Sequence, residues 1–215
     1  MGAKTWMLVY ANGDPRAALR QKPSLDVDGS LRLAASLFPQ ERLTQTGRGD
    51  LSYTAPPDNE VFIGQFPSIA IVAAREFGID YPSMLDKRFL AGAPFDDVYL
   101  HAMHSVVDWF AFAQWKRGRL VRSLSLSPDS GILENFGTAL PFEQSYWSGE
   151  HPALDPEEDP DFYPFPFHPL EFGEAALLDM FGYQLEGDFA HSVVEPESIE
   201  LLQLKRSRHW WRVWG

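Results

Sequence analysis

One block of thirty residues, 98–127 (VYLHAMHSVVDWFAFAQWKRGRLVRSLSLS), constrains the fold more than any other stretch. β-Branched and aromatic side chains dominate it, and Lys116-Arg117-Gly118 supplies a hairpin turn between two runs of strand-forming residues. The pattern predicts strands over 98–103, 107–115 and 119–127. On the last, Leu120, Arg122, Leu124 and Leu126 share one parity, so a single arginine falls in a leucine face. Such a charge snorkels or pairs with a carboxylate. Arg122 is therefore expected in a structural ion pair, with a ligand contact as the alternative.

The rest of the chain supplies partners for this sheet. Residues 4–11 (KTWMLVYA) read as a buried strand that ends at Asn12-Gly13. Asp14-Pro15 then opens a short helix to Arg20. Asp26 or Asp28 caps a second helix carrying Leu31, Ala34, Ala35 and Phe38 on one face. Residues 44–57 are polar and rich in glycine and proline, which predicts a loop, and 60–66 and 69–73 read as two strands or one kinked strand around Pro67. A short helix is expected from Pro82 to Leu90, and a turn or short strand over 133–139. His168-Pro169 begins the clearest helix, with Glu171 and Glu174 in its first turns, Ala175, Leu177, Leu178 and Phe181 in its apolar stripe, and Gly182 as its stop. A late strand is expected over 199–204. The sum is one α+β domain, 1–204, with a mostly antiparallel central sheet and the helices packed on one face. An acidic, proline-interrupted loop is expected at 150–161, and a basic, tryptophan-rich tail at 205–215 (KRSRHWWRVWG).

Three stretches carry a resemblance: MGAKTWMLVYANGD at the start, LHAMHSVVDWFAFAQW with GRLVRSLSLSPD in the centre, and YPFPFHPLEFGEAALLDMFG later. Together they resemble a family of actinobacterial proteins that is a domain of unknown function, over the chain up to about Gly187. The resemblance implies a soluble bacterial protein and brings no catalytic residues with it.

Charge narrows the partners. Between Ser123 and Leu204 there are seventeen acidic side chains and no lysine or arginine, whereas residues 1–122 are nearly neutral. Such a field repels phosphates and disfavours nucleic acid. It suits a basic protein partner, cations, or solubility alone; the tail is expected to dock on this acidic half, with membrane or nucleic acid as its alternatives. No apolar run approaches the roughly 20 residues that a membrane span needs. The chain has no cysteine, which excludes disulfides, thiolate nucleophiles and cysteine-held metals and fits a cytoplasmic location.

Two classes of function emerge. The leading expectation is a non-catalytic interaction protein without a cofactor, binding a basic protein or a copy of itself through acidic and aromatic surface. Arg122, Trp109, Trp147 and Tyr163 are its candidate binding residues. The alternative is a metal-dependent hydrolase. His101, His104 and Asp108 form H-x2-H-x3-D, the one close cluster of imidazole and carboxylate side chains that a divalent metal would take. Strand parity places the two histidines on opposite faces, so a shared metal requires a bulge between them.

Overall fold

The computed structural model describes residues 3–153 and 163–208. Nine strands form one sheet: β1 (Lys4–Ala11), β2 (Glu41–Asp50), β3 (Glu60–Gln65), β4 (Ile69–Ala73), β5 (Asp97–His104), β6 (Trp109–Lys116), β7 (Arg119–Ser127), β8 (Gly131–Gly137) and β9 (Glu200–Arg208). Their order is β2-β9-β3-β4-β1-β5-β6-β7-β8, and every neighbouring pair is antiparallel. Among the described residues five α-helices accompany it: α1 (Pro15–Arg20), α2 (Val27–Leu37), α3 (Lys87–Ala91), α4 (Glu143–Trp147) and α5 (Pro169–Phe181). The fold is α+β, as the alternation of the central block predicts.

The helices divide between the two faces, which corrects the expectation that they gather on one. β1 and β4 are buried along nearly their whole length, so neither can turn a side to water. Met7 and Val9 of β1 face a core shared with Leu19 of α1 and Phe172, Leu177 and Phe181 of α5. Trp6, Leu8 and Tyr10 face the opposite core, which holds Leu33 and Leu37 of α2 and Phe89 of α3. No sheet face is therefore left as open binding surface across the central strands.

Local sequence signals set the element ends. Asp14 and Asp26 cap α1 and α2 by accepting N–H bonds from Arg16 and Gly29. The α5 cap is His168, whose ring accepts the Leu170 N–H at 3.2 Å. Gly182 closes α5 in the left-handed conformation at φ 81°, which glycine adopts without strain. The β6–β7 hairpin turns on Arg117 and Gly118, both at positive φ, the geometry that matches the twist of the flanking strands.

Two expectations change along the outer strands. The polar segment read as a loop from residue 44 is in large part β2, an edge strand whose ladder with β9 carries a bulge between Gln45 and Gly47. An edge strand needs no apolar face, so its composition hides it. The supposed tail also starts inside the sheet, because β9 continues to Arg208. Arg206 is only 10% exposed at its side chain, clamped by Glu41 and Glu76 and lying over the Phe38 ring. The remainder of that tail, 209–215, and most of the acidic loop, 154–162, lie outside the described residues.

Candidate binding cleft

The residues proposed as metal ligands do not converge. His101 is fully buried on the α5 side of β5, with Nδ1 2.8 Å from the Thr5 hydroxyl and Nε2 2.9 Å from the Gly173 carbonyl. Both ring nitrogens are thereby used: Nε2–H donates to the carbonyl, and Nδ1 accepts from the hydroxyl. Burial pushes its pKa down to about 4, so the ring is neutral, with the Gly173 bond pulling weakly the other way. His104 belongs to the other face, tilted against Trp6, with Nδ1 accepting the Val106 N–H. Asp108 turns away in the β5–β6 connection at φ 45°, 3.6 Å from His168 Nε2. Strand parity separates the histidines and no bulge brings them back, which corrects the shared-metal reading. Among the described residues, no three His, Asp or Glu side chains are grouped to hold a metal.

The proposed binding residues are largely structural. Arg122 is 1% exposed and forms a bidentate pair with Glu143 of α4, Nε to Oε1 at 2.8 Å and Nη2 to Oε2 at 2.6 Å. Its Nη1 donates to Asn135 Oδ1 and to the Phe136 carbonyl. Glu143 also accepts from the Leu140 N–H and the Trp147 indole. Arg122 is the ion pair that its leucine-face position predicts. Trp109 is buried against Trp6, with its indole donating to the Ser125 hydroxyl, so it offers no binding surface. Trp147 and Tyr163 are half-buried: Trp147 stands edge-on to Phe167 and Phe172, and Tyr163 stacks on His168. They staple the segment before α5 to the sheet.

A larger recess than any of these residues forms lies elsewhere among the described residues. A cleft of about 1100 Å³ opens where the start of β1 and the β5–β6 turn meet residues 52–55 and the chain that follows α5, 184–197. These segments are distant in sequence but joined by the fold. Trp6 N–H donates to the Thr54 carbonyl, and the N–H groups of Val193 and Val194 both donate to the Gly182 carbonyl. The rim is apolar: Tyr53, Val106, Phe189 and Val193 are all exposed, Val106 by 82%. Beside them stand Glu186, Glu195 and Glu197, against Lys4 and His104. Partial burial, with Lys4 and Arg75 nearby, holds the His104 pKa below the usual imidazole range, so Lys4 is the cation lining the cleft at neutral pH.

Behind the cleft wall sits Glu174 of α5, 7% exposed. Its Oε2 accepts the N–H of Leu185 at 2.7 Å, while Oε1 has no partner among the described residues. Burial raises its pKa to about 7, opposed by the N–H groups of Leu185 and Glu186 and reinforced by the Glu186 charge. The hydroxyls of Ser192, on the same 184–197 segment, and of Thr54, in the segment 52–55, are likewise buried without a partner among the described residues.

A family model matches residues 5–203, from β1 into β9. The chain belongs to DUF6928, a family of unknown function. No curated protein matches it, and no solved structure does. The part of this DUF6928 chain inside the match includes the cleft from Ser52 to Glu197, whereas Ala3 and Lys4 of the rim precede it.

Sequence reasoning passed over the cleft, but two signals were present. Ser105-Val106-Val107 puts adjacent valines in a turn between strands, where water is their default surrounding. Glu174 occupies the apolar stripe of α5, four residues after Leu170 and three before Leu177, where a carboxyl has to be buried.

Proposed function

We propose that this protein is a non-catalytic binding protein that holds a basic segment of a protein partner in the cleft beside Glu186 and Glu197. The observation that carries the reading is the pairing, in one recess, of four exposed apolar side chains with a surplus of carboxylates. Soluble proteins leave few apolar side chains clustered in the open unless something covers them. Glu195 is already engaged by Lys22 at 2.5 Å, whereas Glu186 and Glu197 have no cationic partner among the described residues. A segment with lysine or arginine beside an aromatic residue satisfies both halves of the cleft. The absence of cysteine and of any membrane-crossing helix among the described residues supports placing this binding in the cytoplasm.

The test uses a blocked five-residue peptide alternating lysine and tryptophan, titrated by calorimetry at low and high salt. Binding is expected to weaken as salt rises, because exposed charges are screened beyond roughly 10 Å at 0.1 M. Glu186→Lys with Glu197→Lys is expected to reduce affinity by about tenfold or more, and Phe189→Asp to reduce it at every salt concentration. Peptide affinity unchanged in both variants would refute the assignment.

A further inference from the structure

The cleft wall and the buried carboxyl behind it are one mechanical unit. After Gly182 ends α5, the chain folds back so that Leu185 and Glu186 line the cleft while the Leu185 N–H bonds to Glu174 Oε2. The same carboxyl keeps its second oxygen buried and unpartnered. Its charged neighbours are few. Glu186 on the wall repels a negative charge there, and Tyr183 has its hydroxyl directed to the Met7 sulfur at 3.7 Å. On β5, His101 is bonded to Gly173 and neutral. No lysine or arginine pairs with Glu174 among the described residues. The ionised form thus lacks a counter-charge, and the cleft, lined by the same Leu185 that bonds its Oε2, is a place from which one can be supplied.

We propose that binding of a basic segment in the cleft is coupled to release of a proton from Glu174, so that the cleft takes its ligand more tightly as pH rises through neutrality. The inference rests on the reading of the cleft as a site for basic segments. A cation against Leu185 and Glu186 offsets the Glu186 repulsion and supplies the field that an ionised Glu174 needs. By linkage, whatever favours the ionised carboxylate on binding is returned as affinity at the pH where it is already ionised. The titration midpoint near 7 places this coupling between pH 6 and 8.

The same blocked lysine–tryptophan peptide, which has no group titrating in that range, tests it. Calorimetry in phosphate and in Tris at pH 7 is expected to differ by the heat of a substantial fraction of a proton released per peptide bound. Affinity is expected to rise several-fold, up to about tenfold, from pH 6 to 8. Glu174→Gln keeps a carbonyl for the Leu185 N–H and is expected to bind peptide without pH dependence or proton release. His104→Asn is expected to retain both, which separates Glu174 from the other titrating group at the cleft. Glu186→Gln is expected to move the pH dependence to lower pH. Binding that is flat with pH and releases no proton would overturn this inference alone. A pH dependence that survives in Glu174→Gln would also overturn it. Absence of binding at every pH would overturn the cleft assignment itself.

Discussion

His101 and Glu174 flank the same turn of α5 and pull the stability of the fold in opposite directions as pH changes. His101 has a folded-state pKa of about 4 against an ordinary 6.5, because burial forbids its charge. The unfolded chain therefore binds the proton first, and the stability His101 contributes above pH 6.5 is lost as pH falls through 4. That gap is worth about 3 kcal/mol. Glu174 has a folded-state pKa of about 7 against an ordinary 4.5, again because burial forbids its charge. Here the folded chain holds the proton, so stability is fully present below pH 4.5 and declines as pH rises to 7, also by about 3 kcal/mol. Between pH 4.5 and 6.5 the two slopes nearly cancel. Glu174→Gln is expected to unmask the histidine limb, with unfolding free energy rising over that interval relative to the parent. His101→Gln is expected to unmask the opposite limb, with stability falling. Urea unfolding at half-unit pH steps, followed by tryptophan fluorescence, measures both as differences from the parent curve. Two variants that merely shift the parent curve without changing its slope would refute the reasoning, because neither group would then be titrating in the interior.

Other interior groups make simpler predictions. Glu143→Ala strands the Arg122 guanidinium without its counter-charge and is expected to cost about 3–5 kcal/mol in urea unfolding, whereas Arg122→Met with Glu143→Leu recovers most of that loss. A double variant as unstable as the single one would show that the pair is not what Arg122 needs. Trp109→Phe removes the indole bond to Ser125 and is expected to cost about 1 kcal/mol while leaving peptide affinity unchanged, a result read from unfolding and calorimetry together.

The fold was readable wherever a segment buries one or both of its faces. The β1 run, the β5–β6–β7 meander and the α5 stripe announce themselves by apolar periodicity, and their ends by Asp14-Pro15, Arg117-Gly118 and Gly182. Arg122 was readable for the same reason, since a charge in a leucine face has few ways to survive there. β2 was not, because an edge strand made of Glu41, Arg42, Thr44, Gln45 and Arg48 is stabilised by pairing and by cross-strand ion pairs such as Arg48–Glu200 at 2.6 Å. Those partners lie 152 residues away, and no local pattern records them. The helix split was hidden too, because an all-apolar strand shows that both faces are covered without showing by what.

Among the described residues, part of the acidic half of the sequence is paired with cations from the other half. β9 threads between β2 and β3, which sets Glu200 against Arg48, and other carboxylates from the lysine- and arginine-free stretch meet cations from the first 122 residues elsewhere in the fold. Glu195 takes Lys22, Glu200 takes Arg48, and Glu143 takes Arg122. What remains uncompensated is decided by topology, and around the cleft it is Glu186, Glu197 and the buried Glu174. Glu186 and Glu197 stand on the chain that leaves α5 and returns to the sheet, which has to cross the end of β1 to reach β9, and Glu174 lies under it on α5. That crossing leaves a recess because its other wall, residues 52–55, pairs with β1 only at Thr5. Charge surplus, apolar rim and cavity therefore share one origin in the route of the chain. The proposed basic, apolar-bearing ligand rests on these three features together.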